Sequence, residues 1–104
     1  MNNTVSIKRF EIVIGIEQFE QLIELLEKCG ARRYTVIKNV GGYGTRGTRN
    51  PHDVLIPDEN VLVILACTDE QAEKVVDEFS PVRKKFGGMC LITECQRIVE
   101  ATGS

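Results

Sequence analysis

The sequence predicts an α+β domain in which one antiparallel sheet of four strands carries two helices on a single face. Two observations support this class: apolar residues alternate in some segments and recur every three or four residues in others. The chain has 104 residues, which is the usual size of one domain. We therefore expect a single domain over residues 1–104.

The first half of the chain changes its apolar period twice. Every second residue from Phe10 to Ile16 is apolar, which is typical of a strand with one buried face. Apolar residues then follow the helical spacing from Phe19 to Leu26, and Gly30 is the expected stop of this helix. Arg33 to Val40 is rich in β-branched and aromatic residues and predicts a second strand.

The second half repeats the strand and helix pattern. Val61 to Cys67 is apolar on both parities, which predicts a strand covered on both faces. Thr68 followed by Gln71 indicates a capping box at the start of a helix, which Ser80–Pro81 ends or kinks. The predicted inward stripe of this helix is Ala72, Val75, Val76 and Phe79.

The last predicted strand runs from Met89 to Val99, so the order is βαββαβ. Right-handed crossovers turn this order into the ferredoxin-like arrangement, with a long loop between the second and third strands. Both helices then cover the same face of the sheet. The other face would carry Val13, part of Val61–Cys67 and Ile92, and we expect a homo-oligomer to bury it.

Composition narrows the function classes. The formal net charge is -2 with both signs interspersed, which argues against nucleic acid as a partner. No signal sequence and no apolar run of roughly 20 residues is present, so we expect a cytoplasmic protein. The four cysteines form no CxxC pair and are expected to be reduced and structural.

The most informative segment is the polar stretch from Val40 to Asn60, because loops beyond roughly 12 to 15 residues are usually functional or disordered. Glycine N–H groups and arginine guanidinium groups are suited to phosphate. The alternative is a mobile solvated loop, and the segment matches neither a P-loop nor a dinucleotide-binding fingerprint. The candidate residues at its head are Gly41, Gly42, Gly44, Thr45, Arg46, Gly47 and Arg49.

A second candidate cluster comprises Lys84, Lys85, Gly87 and Gly88, directly ahead of the last strand. Its alternative interpretation is a solvated helix end, where lysine is favoured by the helix dipole. If both clusters line one cleft between subunits, they provide the donors that a nucleotide's phosphates require, beside an apolar wall for the base.

No catalytic or metal-binding group is predicted. His52 is the single histidine, with Asp53 beside it, and one loop histidine supports neither a metal site nor a triad. Asp58–Glu59 has no apolar surroundings to raise a carboxyl pKa. We therefore expect a protein that is not an enzyme.

The strand Tyr34–Val36 followed by Gly41-Gly42-Tyr43-Gly44-Thr45-Arg46 resembles the PII-like signalling proteins. The resemblance is closest to their branch of carboxysome-associated proteins and bicarbonate-transporter partners. It implies a ferredoxin-like homotrimer that binds adenine nucleotide in three intersubunit clefts. It also implies that the loop over about residues 40–60, called the T-loop in that family, becomes ordered in response.

The resemblance also assigns individual residues. Thr35 would lie near the adenine, and Arg97 would supply a further phosphate contact. The loop-head residues Gly41, Gly42, Gly44, Thr45, Arg46 and Arg49 would lie near phosphate, and Gly87 and Gly88 with Lys84 or Lys85 would form the family's B-loop. Bicarbonate, a weaker candidate ligand, would be held by Gly41, Gly42, Tyr43, Gly44 and Arg46.

The departures from the family pattern affect the choice of ligand. The TGxxGxGK type of B-loop and the paired arginines after the last strand are absent, which favours ADP or AMP, with ATP and cyclic AMP left open. The implied role is to sense inorganic-carbon or energy status and to signal through the T-loop to an unidentified protein target. The implied location is the cytoplasm, with the carboxysome or a membrane transporter as alternatives.

Two other functions remain as alternatives. One is a small ferredoxin-like nucleotide hydrolase that uses the loop as a lid, although no general base is evident. The other is a metal-responsive PII-like protein, which the single histidine and the scattered cysteines disfavour.

Overall fold

The computed structural model of the protein describes residues 3–44, 47–49 and 59–101, with side chains over 3–41 and 59–101. Thr45, Arg46, His52, Asp53 and Asp58, which figured in the predictions, lie outside the described residues. The elements are β1 (Thr4–Gly15), α1 (Phe19–Lys28), β2 (Tyr34–Lys38), β3 (Gly42–Gly44), β4 (Gly47–Arg49), β5 (Asn60–Cys67), α2 (Asp69–Phe79), α3 (Arg83–Phe86) and β6 (Met89–Ile98). Short 3₁₀ turns over Ile16–Gln18 and Ser80–Val82 precede α1 and α3.

The predicted architecture is confirmed. The main sheet has the strand order β2-β5-β1-β6 and is antiparallel throughout, which is the ferredoxin-like order. The strands β3 and β4 form a separate small antiparallel hairpin within the loop between β2 and β5, where Gly42 pairs with Arg49. No helix in the described part of the chain is long and apolar enough to cross a membrane.

The core lies between the sheet and the helices. Alternating residues of the central strands are almost fully buried there, including Phe10, Ile12, Ile14, Val61, Val63 and Leu65. Leu22 and Leu26 of α1 and Val75 and Phe79 of α2 close the core from the other side. Alternation places one side of each strand against this layer, as the apolar period of the sequence requires.

The opposite side of the sheet, here called the open face, is not covered by any element of the described chain. Cross-strand pairing places Ile37, Leu62, Val13 and Met89 in one row across it, and Ile64 and Leu91 in the next row. Leu91 is half exposed, at 50%. The predicted apolar open face is therefore present within one copy of the chain.

Two side chains lie elsewhere than expected. Ile92, predicted on the open face, pairs with the buried residue Phe10 and therefore lies on the helix side. Val76, predicted in the inward stripe of α2, is 39% exposed, whereas Ala72, Val75 and Phe79 are buried. Val76 and Ile92 instead line one groove together, because the face of α2 that carries Val76 looks along the edge of the sheet rather than into the core.

The start of α2 is fixed by the predicted capping box. The Thr68 hydroxyl accepts the Gln71 N–H at 3.1 Å, and the Gln71 side chain accepts the Thr68 N–H at 3.0 Å. Each bond satisfies an amide that the helix geometry leaves without a partner.

Replacing Thr68 with alanine is expected to lower the free energy of unfolding by about 1 kcal/mol, because the Gln71 amide loses its acceptor. Thr68→Ser keeps the hydroxyl and is the matched control. Chemical denaturation of both variants measures the difference, and equal stability of Thr68→Ala and Thr68→Ser would contradict the role of the cap.

Candidate functional site

The loop head and the glycine turn lie at the same end of the main sheet but at opposite edges. Lys38 at the end of β2 pairs with Val61, which pairs with Ile14 of β1, and Val13 pairs with Met89 of β6. The edge strands β2 and β6 are three strand spacings apart, which is about 14 Å at roughly 4.8 Å per spacing. Within one chain, the two predicted phosphate-binding segments therefore do not adjoin.

The base of the loop is tied to the sheet at several points. The Val40 N–H donates to the Asn60 carbonyl at 3.2 Å, and the Ile16 N–H donates to the Glu59 carbonyl at 2.8 Å. Asn39 has a φ of 59°, a left-handed conformation that asparagine tolerates better than most residues. These contacts hold Gly41 at the rim of the sheet, whatever the remainder of the loop does.

The glycine turn, Gly87–Gly88 after α3, is held by packing on both sides. Phe86 is buried and stacks on Phe79 with ring centroids 5.2 Å apart. Gly87 has a φ of 66°, and its N–H donates to the Arg83 carbonyl at 3.1 Å. A Cβ on Gly88 would collide with the carbonyl oxygen of Val13, so the backbone of this turn can lie against β1 only with glycine here.

The basic residues before the turn have separate surroundings. Lys85 lines a groove between the helices with Glu24 and Glu78, whereas Arg83 lines another groove beside Cys90. No described carboxylate lies within ion-pair distance of Lys84 or Lys85. These ammonium groups are consequently available to an anion at the turn.

Gly88→Ala is expected to lower the free energy of unfolding by about 1 to 3 kcal/mol, because the methyl group meets backbone that cannot move aside. The control is Gly30→Asn, since Gly30 has a φ of 74° but open space around its Cβ position. Thermal or chemical denaturation measures both variants, and a Gly88→Ala loss no larger than that of the control would show that the turn is not tightly seated.

A second cluster lies at the other end of the sheet and was not predicted as a group. Arg32, Arg33 and Arg97 line one pocket of about 270 Å³, here called the arginine pocket. Arg32 and Arg33 come from the connection between α1 and β2, whereas Arg97 comes from the end of β6. The remaining lining residues are Ile7, Gly30, Ala66, Cys67, Thr68 and Gln71.

The walls of the arginine pocket are rigid. Gln71 donates from its side chain to the Gly30 carbonyl at 2.9 Å and so joins α2 to the turn after α1. The Ala66 N–H donates to the Arg33 carbonyl at 3.1 Å, which fixes the backbone of that arginine against β5. The arginine side chains thus project from backbone that hydrogen bonds hold in place.

The electrostatics of the arginine pocket favour an anion. Its described lining contains three guanidinium groups and no carboxylate. The Nε atom of Arg97 is buried and has no hydrogen-bond partner in the described structure. An unpaired donor in a cationic pocket is best satisfied by an oxyanion, which accepts from arginine in a forked geometry.

The structure separates Arg97 from the residues with which it was predicted. At about 3.4 Å per residue, Arg97 lies roughly 27 Å along β6 from Met89 and the glycine turn. Thr35 is exposed on β2, where it pairs with Ile64 on the open face. Arg32 and Arg33 were missed because two arginines before a strand carry no motif that distinguishes them from a solvated connection.

Cys67 forms part of the arginine pocket from beneath and is buried. Burial raises the pKa of its thiol to about 11, and the neighbouring Cys29 adds to the increase. Burial also raises the pKa of the thiols of Cys29 and Cys90. The described cysteines are free thiols, and no group of three or more metal-ligating side chains occurs among the described residues.

We expect Cys67 to resist alkylation. With a pKa of about 11, only about one thiol in a thousand is ionised at pH 8, and the thiolate is the reactive form. Timed labelling with iodoacetamide followed by peptide mass spectrometry measures this, with the less buried Cys95 as the internal control. Labelling of Cys67 as fast as Cys95 would contradict the burial.

Comparisons with known proteins identify the class. The sequence model of the nitrogen regulatory protein P-II family matches residues 7–102, and the chain belongs to this family, whose members are regulatory proteins. The UPF0166 protein MJ1524 of Methanocaldococcus jannaschii is 30% identical over 83 residues, which cover 78% of this chain and 75% of that protein.

Solved structures of PII-like proteins share the fold. CPII from Thiomonas intermedia K12, bound to ADP, AMP and bicarbonate, superimposes with a TM-score of 0.83 at 22% identity and covers 93% of this chain and 92% of its own. A PII-like signalling protein from Thermus thermophilus has a TM-score of 0.72 at 18% identity and covers 94% of each chain. At such identities these matches establish the architecture alone.

Proposed function

We propose that this chain is a PII-like regulator that senses adenine nucleotide, with ADP or AMP favoured, in clefts between subunits of a homotrimer. The observation that carries the proposal is the convergence of Arg32, Arg33 and Arg97 on one pocket with a buried, unpaired guanidinium donor. A phosphate group is the biological anion that such a forked cationic site recognises best.

The volume and position of the arginine pocket argue for a second copy of the chain. At about 270 Å³ it is smaller than a typical pocket for a ligand of nucleotide size. By strand alternation, Ile7, Ala66 and Arg97 lie on the open face, so a copy covering that face would also extend the pocket. Copies packed through the open face would place the arginine pocket of one beside the glycine turn of another.

This arrangement uses the residues predicted from the sequence. In it, Lys84, Lys85, Gly87 and Gly88 of one copy and Arg97 of the next contact phosphate. Thr35, on the open face between these ends, would lie beside the base. The loop-head residues Gly41, Gly42, Gly44, Thr45, Arg46 and Arg49 would approach the same anion when the loop closes.

The ligand assignment has a further support. CPII was solved with ADP, AMP and bicarbonate bound, which makes these the first ligands to test here. Bicarbonate would be held by the amides around Gly41 to Gly44 and by Arg46, since successive N–H groups form a cradle for a small anion.

The signal in this proposal is a change in the order of the T-loop over about residues 40–60. A ligand shifts such an equilibrium only by the difference in its affinity for the two loop states, so the loop-head arginine must contact it in one state alone. The closed loop would then dock on a protein target, and would report inorganic-carbon or energy status in the cytoplasm, at the carboxysome or at a membrane transporter.

Arg97→Gln is expected to weaken ADP binding at least about tenfold, because it removes the charge but keeps most of the side-chain volume. Arg46→Ala is expected to weaken it as well, through loss of the loop contact. Lys74→Gln, on the exposed side of α2, removes the same charge away from the pocket and is the control. Isothermal titration calorimetry with AMP, ADP, ATP and cyclic AMP, with and without bicarbonate, measures all of them.

The outcomes of this experiment are distinct. Unchanged ADP affinity in Arg97→Gln would refute the arginine pocket as the phosphate site, and absence of binding by every adenine nucleotide would refute the proposed function. Conversion of ATP or cyclic AMP during incubation, detected by chromatography, would favour the hydrolase instead. Sedimentation velocity on the same samples tests the trimer.

A further inference from the structure

A groove on the helix side of the sheet, between α2 and β6, is not used by the proposed nucleotide site. It encloses about 630 Å³ and is continuous, through Val76 and Ile92, with a smaller groove of about 170 Å³. We call the two together the α2–β6 groove. It lies on the face opposite the one that other copies of the chain are proposed to cover.

The floor of the α2–β6 groove is apolar and accessible. Val76 and Ile92 are 39% and 48% exposed, respectively, and Phe10 and Phe79 lie beneath them in the smaller part. Strand β6 is an edge strand that is paired only with β1 in the described sheet. Its other side therefore presents backbone donors and acceptors to a further extended segment.

The rim of the groove is acidic along one line. Asp69, Glu73 and Asp77 recur every fourth residue on α2 and so span about 12 Å at roughly 1.5 Å per residue. The single cation of the larger groove, Lys8, is held by Glu94 at 3.0 Å and Asp69 at 4.0 Å. No described cation lies within ion-pair distance of Glu73 or Asp77.

We propose that the α2–β6 groove docks an extended basic segment of a partner protein, with the pattern cation-x-apolar-x-cation, which adds as a strand to β6. In such a segment, the apolar side chain faces Val76 and Ile92. The cations four residues apart span about 13 Å in a strand, which matches the rim of α2. The acidic rim excludes nucleic acid and anionic lipid surfaces, because both are repelled by the same charges.

The test uses a fluorescent synthetic peptide containing two repeats of Lys-Thr-Val-Thr followed by lysine. Fluorescence anisotropy with the intact protein, without nucleotide, is expected to show saturable binding. The same peptide with glutamate in place of lysine is expected to bind at least about tenfold more weakly. The measurement is independent of nucleotide binding, so its failure leaves the proposed function untouched.

Protein variants separate docking from unspecific charge attraction. Glu73→Lys combined with Asp77→Lys is expected to weaken peptide binding at least about tenfold, whereas Glu24→Lys with Glu27→Lys, an equal charge change on α1, leaves it within about threefold. Ile92→Thr keeps strand propensity and the fold but removes the apolar floor, and is expected to weaken binding several-fold. Circular dichroism confirms that each variant is folded.

Three results would overturn the proposal. One is the absence of saturable binding by the lysine peptide, and another is equal loss of binding in both charge-reversed variants. The third is a fall in the mass of the native assembly, measured by sedimentation, in the Glu73→Lys, Asp77→Lys variant, since the groove would then be a contact between copies of this chain.

Discussion

The central position of β1, hydrogen-bonded to β5 on one side and β6 on the other, is the constraint on which the rest of the structure depends. Its register determines which residue of each neighbouring strand faces the helices and which faces away. A shift of β6 by one residue would bring Leu91 to the helix side and Ile92 to the open face. The glycine turn would also lose its seat against Val13.

The same register separates the chemistry of the chain into two ends. The loop head and the glycine turn are at the end where β5 and β6 begin, and the arginine pocket is at the end where they stop. Both ends are cationic, whereas the exposed surface of α2 between them is acidic at Asp69, Glu73 and Asp77. Such polarity favours approach of an anion to the ends of the sheet rather than to its helix layer.

The sequence was sufficient for the fold because the apolar periods agree with the elements that formed. It was less informative at positions whose outcome depends on long-range pairing. Ile92 and Val76 are as apolar as their buried neighbours, and only the register of β6 and the position of α2 at the sheet edge decide their exposure. Elements were thus predictable from local pattern, but the side of the sheet on which one residue lies was not.

The candidate site divides in the same way. Glycines at a turn are visible in sequence, and the collision that Gly88 avoids explains why no other residue would serve. Arg32, Arg33 and Arg97 are more than sixty positions apart at their extremes. Their convergence follows from β1 and β6 extending together beyond β5, a property of pairing that no local motif encodes.

Helix α2 borders both the arginine pocket and the α2–β6 groove, which raises the question of whether one surface affects the other. The capping box and the bond from Gln71 to Gly30 hold its first turn, and Val75 and Phe79 anchor the rest in the core. Coupling between two sites requires an element with two arrangements, and a helix held at both ends offers only one. Binding at the pocket and at the groove is therefore energetically separate unless the loop over 40–60 connects them.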